Sequence, residues 1–288
     1  MKLNLRSLLK SKPKKPVSKT REWVNAITFA VVAATLIRWT TVEAYVIPTP
    51  SMENSALVGD FLFVSKLHYG TRTTGTPLQI PLTHQKVWGT DIPAYLDWIQ
   101  LPMYRLPGFT HVKNGEVVVF NVPRIGQNDG VEYPISLKNN YVKRCIGIPG
   151  DRIEIRNAQV FVNEKPLDNP EEMKFNYLVS SRDEINRRNL VKLGLGSDDY
   201  YYLGRNDKGE AWYRMFLTGD QVKLVKEQPY VTSFQHGFPE DRPESDIFPL
   251  YMNKKWNRDN YGPLTLPAEG MTIAVNDSTM GMYGETIL

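Results

Sequence analysis

The stretch VIPTPSMENSALVGD, residues 46–60, decides how the chain is read. Pro48 and Pro50 fix φ on either side of Thr49 and bar a regular helix there. Gly59-Asp60 is a turn signal, and it opens the run Phe61-Leu-Phe-Val-Ser-Lys66, which reads as a β-strand. Ser51 therefore stands in a stiffened bend just ahead of a strand. The nucleophile-elbow pattern Gly-x-Ser-x-Gly is absent from the chain. A serine is a poor nucleophile by itself, so chemistry at Ser51 needs a base from elsewhere.

Upstream of the bend lies the one segment apolar enough to enter a membrane. WVNAITFAVVAATLI, Trp23 to Ile37, carries no charge, and Arg38 follows it. Residues 23–42 as a helix are about 30 Å long, enough to cross a bilayer. Arg38 is placed to snorkel, and Trp23 and Trp39 to mark the two interfaces. Residues 1–21 hold eight Lys or Arg and no Asp or Glu. The overall charge of +4, less those eight, leaves the remainder at −4. The basic tail thus orients the helix with its N-terminus in the cytoplasm, and no basic face for nucleic acid remains. A buried soluble helix and a signal peptide cut after Val42-Glu-Ala44 are the competing readings. The flanking charge asymmetry opposes the first, and Arg38 between the apolar core and the cut opposes the second. An uncleaved anchor is preferred.

Downstream, the pattern is mainly β. Glu116-Val-Val-Val-Phe120 reads as a buried strand and Asn139–Gly147 as a second, ending in the turn Ile-Pro-Gly-Asp151. Arg152–Arg156 and Gln159–Asn163 alternate cleanly around Asn-Ala and read as a hairpin. From about residue 168 the character is mixed α/β. Ser181-Arg-Asp-Glu184 resembles a capping box for a helix to about Leu193, and Thr218-Gly-Asp-Gln221 one for a short helix to Glu227. Tyr200–Gly204 and Ala211–Phe216 read as strands, and 236–263 as loop. The run IPAYLDWIQLPMYRLPGF, residues 92–109, crowds aromatics and leucines between prolines. It is either a core loop or a surface that dips into the lipid interface. The expected organisation is a basic tail over 1–22, a transmembrane anchor over 23–42, a β domain over 43–167, an inserted α/β lobe over 168–260 and a return to the β body over 261–288.

The chemistry-bearing residues are few. One cysteine, Cys145, excludes an intramolecular disulfide. The histidines, at 68, 84, 111 and 236, have no metal-ligand spacing, and no His-Glu-x-x-His occurs, so no metal or other cofactor is expected. None of the four announces itself as the base of a triad. A lysine can serve if it is kept neutral, which requires desolvation, because the free ammonium titrates near about 10.4. Lys143 lies in the otherwise apolar run Tyr-Val-Lys-Arg-Cys-Ile. By period two it shares a face with Tyr141 and Cys145, while Arg144 points the other way. The residues by themselves favour an ordinary surface lysine on an edge strand.

Three blocks in order, Pro-Thr-Pro-Ser51-Met52, Gly59-Asp-Phe-Leu-Phe-Val-Ser-Lys66-x-x-Tyr69-Gly70 and Tyr141-Val-Lys143-Arg-Cys-Ile-Gly-Ile-Pro-Gly-Asp151, resemble bacterial type I signal peptidases. They cover roughly residues 21–165 behind a matching anchor, in a form similar to Bacteroidetes-type members. The resemblance implies a signal-peptidase-like antiparallel β body and a membrane-bound Ser/Lys endopeptidase. Signal peptides of exported preproteins would be its substrates, cut after small residues at P1 and P3. The lipid bilayer and the secretion translocon would be its partners, and the inner membrane, with a periplasmic catalytic domain, its place. Carried over residue by residue, Ser51 is the nucleophile and Lys143 the general base. The Ser51 N–H and the Thr49 hydroxyl stabilise the oxyanion, with Thr49 standing where the family has serine. Ile47, Pro48, Met52, Tyr141 and Val142 match the lining of the S1 pocket, Met52 also suiting plain core packing. Asp151 reads as a turn and ion-pair residue.

Two departures accompany the match. Glu53-Asn54-Ser55-Ala56 replaces the Pro-Thr-Leu that commonly follows Ser-Met, altering a turn and one pocket wall. The later block Gly-Asp-Asn-Arg-x-x-Ser-x-Asp-Ser-Arg does not occur; Trp256–Pro267 shares only letters with it. A truncated or split form, inactive alone and acting as a membrane-anchored interaction module, is the alternative expectation.

Overall fold

The computed structural model describes residues 18–53, 55–123, 130–237, 243–249 and 255–287. Most of the basic tail, residues 1–17, lies outside the described residues. The architecture is mainly β, with antiparallel sheets behind one N-terminal apolar helix. Helix α1 spans Lys19–Thr40, longer at its start than the apolar run because Ser18 caps it, its side chain accepting from the Arg21 N–H. None of its residues is buried. By length and composition it is able to cross a membrane.

The chain divides into two compact units. The first takes the chain up to Val46, then Phe61–His111 and Val119–Tyr141. Here α1 runs into strand β1 (Val42–Val46), which pairs antiparallel with β2 (Phe61–Ser65), from Val42 opposite Ser65 to Val46 opposite Phe61. Glu43 is nearly enclosed and takes two cations, Arg38 at 2.6 Å and Lys66 at 2.8 Å. The helix exit is thereby tied to both strands. Arg38, expected to snorkel to the interface, is one of these two cations. Backbone hydrogen bonds such as Ile80 N–H to Ala94 C=O and Leu106 N–H to Thr71 C=O fold residues 71–106 back on themselves. Of the apolar run 92–109, Ala94 is buried, whereas Trp98 is 81% and Phe109 82% exposed. The core-loop reading therefore fails for these rings, which stand exposed among the described residues. Phe61 and Phe63 on β2 are exposed as well.

The second unit comprises Ile47–Asp60, Val112–Val118 and Val142–Leu288. One of its sheets has the order β12-β5-β6-β7, with β5 Arg152–Arg156, β6 Gln159–Val162, β7 Lys165–Pro166 and β12 Tyr261–Thr265. The expected hairpin is present, with Arg156 opposite Gln159. Its turn residues, Asn157 and Ala158, both have positive φ (48° and 66°), as a type I′ turn demands. The other sheet, β11-β8-β10-β9, is built from β8 Phe175–Ser181, β9 Tyr200–Arg205, β10 Ala211–Leu217 and β11 Val231–His236. Strand β10 alternates strictly, so Ala211, Tyr213, Met215 and Leu217 form one buried row. Helices α2 (Arg187–Lys192) and α3 (Gly219–Lys226) add Leu190 and Val225 to that core. The Thr218–Gln221 capping box forms as expected. The one at Ser181 does not. Ser181 ends β8 opposite Ala211, wholly buried, and donates to the Asp183 carbonyl; Asn186 caps the helix instead. Strand pairing with β10 outweighs the local capping pattern.

Strands β3 (Val117–Asn121) and β4 (Asn140–Arg144) pair with each other, and the chain passes from one unit to the other along both. β3 was expected to be buried, yet Val117 and Phe120 are exposed, because a two-stranded sheet offers too few neighbours to enclose both faces. Helix α4, Asp277–Ile287, closes the described residues, with the Tyr283 hydroxyl donating to the Thr265 carbonyl.

Candidate active site

The bend 47–60 is closed by its own backbone. Ile47 N–H donates to the Asp60 carbonyl at 3.0 Å, and Gly59 N–H to the Ile47 carbonyl at 2.9 Å. Gly59 takes φ of 92°, a conformation that side chains resist. The Asp60 carboxylate accepts the Leu57 N–H. Within this frame Pro50–Met52 forms one turn of 3-10 helix, with Pro50 at its first position and Thr49 extended before it. The turn is locked by Glu53 N–H to Pro50 C=O at 2.8 Å and Ala56 N–H to Met52 C=O at 2.7 Å. Met52 and Ile47 are buried, while Pro48, Thr49 and Ser51 are exposed. The turn thus anchors its apolar side chains inward and presents its hydroxyls. The Ser51 N–H is among the first amides of the turn, which have no acceptor within it.

Lys143, on β4, reaches this turn from 92 residues away. Its Nζ donates to Ser51 Oγ. Thr49 Oγ1 lies 3.3 Å from the same oxygen. Lys143 is half-buried. The neighbouring Arg144 turns to the other side, as strand alternation requires, donating to the Gly115 carbonyl at 2.7 Å and to Ser55 Oγ at 3.2 Å. Arg144 therefore braces the bend from behind, a role the sequence did not suggest. Past β4, Cys145 N–H bonds the Glu116 carbonyl, and its thiol donates to the Gly147 carbonyl. A Cβ at Gly147 would stand 2.6 Å from Leu266 Cδ1 and 2.7 Å from Ile153 Cδ1, so both side-chain ends would have to shift.

Asp151 accepts from Asn114 Nδ2, Ile148 N–H and Asn163 Nδ2 at 2.8 to 2.9 Å. Burial pushes its carboxyl up, but these three donors outweigh it and hold the group below the usual range. It is a turn residue, and its partners are amides where an ion pair was also expected. Val142 precedes Lys143 on β4 in the same unit as Ser51; Tyr141 ends the chain's passage through the first unit. Among the described residues no group of three His, Cys, Asp or Glu side chains is arranged to hold a metal ion.

The family described as "Signal peptidase, peptidase S26" matches residues 20–209, well over half of the chain. The chain belongs to the signal peptidase family. Curated relatives named Signal peptidase I include those of Rickettsia bellii, 25% identical over 170 residues, or 58% of this chain and 48% of the relative. The Rickettsia canadensis protein is 28% identical over 152 residues, 52% of this chain and 46% of its own length. That of Rickettsia felis is 27% identical over the same span. The matched segment spans about half the length of these relatives. No solved structure matches the chain. The matched residues run from α1 through both Ser51 and Lys143.

Proposed function

We propose that the chain is a membrane-anchored serine endopeptidase that removes signal peptides from exported preproteins, with Ser51 as nucleophile and Lys143 as general base. The observation that carries this reading is the direct hydrogen bond between Lys143 Nζ and Ser51 Oγ, in a chain of the signal peptidase family. In the reactive form Lys143 is neutral and accepts the Ser51 proton as Oγ attacks the scissile carbonyl. The Oγ–carbon bond forms, the carbonyl oxygen becomes an oxyanion, and the Ser51 N–H and Thr49 hydroxyl donate to it. Lys143 then returns its proton to the departing amine, leaving an acyl-enzyme that water cleaves. The Thr49 hydroxyl, 3.3 Å from Ser51 Oγ, supports that role. Small P1 and P3 side chains follow from the family likeness, with Ile47, Pro48, Met52, Tyr141 and Val142 assigned to the S1 wall.

The helix α1 and the eight positive charges of residues 1–21, six ahead of the helix and two in its first turn, support a single pass through the bacterial inner membrane, N-terminus in the cytoplasm and catalytic unit in the periplasm. The exposed Trp98, Phe109, Phe61 and Phe63 suit a unit that rests on lipid, near the translocon. An uncleaved anchor is supported by Ala44, which sits mid-strand opposite Phe63; a cut after it would sever β1. The test is cleavage of a preprotein with alanine at P1 and P3 by the full chain in detergent. Wild type should release the mature product, Ser51→Ala should not, and N-terminal sequencing should begin ahead of α1. Equal cleavage by Ser51→Ala would refute the dyad.

A further inference from the structure

We propose that Lys174 is a positioning residue that ties the Ser51 turn to the lobe built from β8–β11, so that the lobe sets the aim of the nucleophile. The inference rests on the reading of Ser51 as nucleophile. Lys174 directly precedes β8. Its Nζ lies 3.0 Å from Glu53 Oε2 and 2.5 Å from Asp199 Oδ1. Glu53 is the residue that closes the Ser51 turn, through its N–H to the Pro50 carbonyl. Asp199 belongs to the lobe's frame: its Oδ2 accepts the Gly196 N–H at 2.8 Å, and its carbonyl accepts the Phe216 N–H from the central strand β10. The chain of contacts therefore runs from the lobe's buried core to the residue two after Ser51.

The two ends of this bridge are unequal. The Lys174 and Asp199 side chains are 15% and 10% exposed, whereas Glu53 is 38% exposed. Burial disfavours the ammonium, but the two carboxylates more than restore it and hold Lys174 above its ordinary range. The sheltered pair is a fixed post in the lobe, and Glu53 is the adjustable arm that grips it. An ion pair as open as the Glu53 end adds little to global stability. Its consequence is local: with Glu53 gripped, the 3-10 turn is held at its C-terminal end as well as by Pro50.

The variant that isolates the clamp is Glu53→Gln, which leaves Lys174 paired with Asp199. In the full chain in detergent, amide exchange over residues 50–56 should quicken about three- to tenfold, a modest charge-assisted bond having been lost. The strands β8 and β10 should exchange as before and Tm should hold. On a preprotein with alanine at P1 and P3, kcat should fall by a similar factor with KM unchanged. Lys174→Arg should keep both the slow exchange and the kcat, and Lys174→Met should lose both. Unchanged exchange at 50–56 in Glu53→Gln overturns the proposal. So does faster exchange with kcat unaltered, and so does loosening spread over the whole lobe, which marks a purely structural pair. If Ser51→Ala cleaves as well as wild type, the nucleophile reading falls on its own, and the exchange arm still decides whether the clamp exists.

Discussion

Replacing Lys143 by methionine tests the dyad most sharply. Methionine is unbranched and close to lysine in length, so Lys143→Met fills the half-buried site beside Ser51 without opening a cavity. What disappears is one nitrogen, among the described residues the only group brought to Ser51 Oγ that is able to take its proton; Thr49 contributes just a hydroxyl. A positioned general base contributes about 10²- to 10⁴-fold, equivalent to roughly 3 to 5 kcal/mol of barrier. The expected loss is of that size in kcat, with KM changed less than about twofold, because Lys143 acts on the proton and not on substrate binding. The assay is single-turnover cleavage of a preprotein followed on gels, with thermal denaturation alongside to show that the fold persists. Lys143→Arg should fail equally, since a guanidinium stays protonated. Ser51→Ala with Lys143→Met should be no worse than Ser51→Ala alone, because the two act as a unit. A Lys143→Met enzyme within about threefold of wild type would refute the reasoning, since no rate loss that small is compatible with removal of the base.

Three further outcomes follow from the same geometry. Thr49→Val keeps the shape of the turn but removes a donor, and should lower kcat by up to about 10²-fold with little change in KM; an unaltered kcat removes Thr49 from the oxyanion site. In the first unit, burial raises the Glu43 carboxyl but Lys66 and Arg38 more than compensate, so its folded pKa lies below the ordinary value of 4.5. The stabilisation is therefore present above pH 4.5 and lost as pH falls through the lower folded value, and Glu43→Gln should flatten acid-unfolding curves over that window. Met215→Ala, in the wholly buried row of β10, should cost about 2 to 5 kcal/mol in denaturant unfolding of the lobe; a cost under about 1 kcal/mol would mean the core repacks freely.

Much of the β body was legible because its signals are local. The Asn157–Ala158 hairpin announces itself through clean alternation around two turn residues, and the Thr218 capping box through four adjacent ones. The helix α1 followed from apolar length and flanking charge. Errors came where tertiary pairing outweighed a local pattern. Ser181 reads as a cap but is the last rung of β8, and β8 itself, with Tyr177, Val179 and Ser181 on one face, went unread. The run 92–109 is ambiguous by composition, and only the fold shows Trp98 and Phe109 to be exposed.

By itself the sequence determined the family and the apolar helix at the start of the chain, and it named two candidate groups for the site. Ser51 and Lys143 were picked out by motif, residue by residue, because the blocks that carry them are short and contiguous. Whether a lysine 92 residues away touches that serine is a matter of chain reversal that no local pattern encodes, and only the pairing and packing of β4 brought Nζ to Oγ. The same holds for Arg144 behind the bend and for Lys174 between Glu53 and Asp199. These are contacts between segments distant in sequence, each written as an ordinary surface charge, and their meaning exists only once the chain has folded.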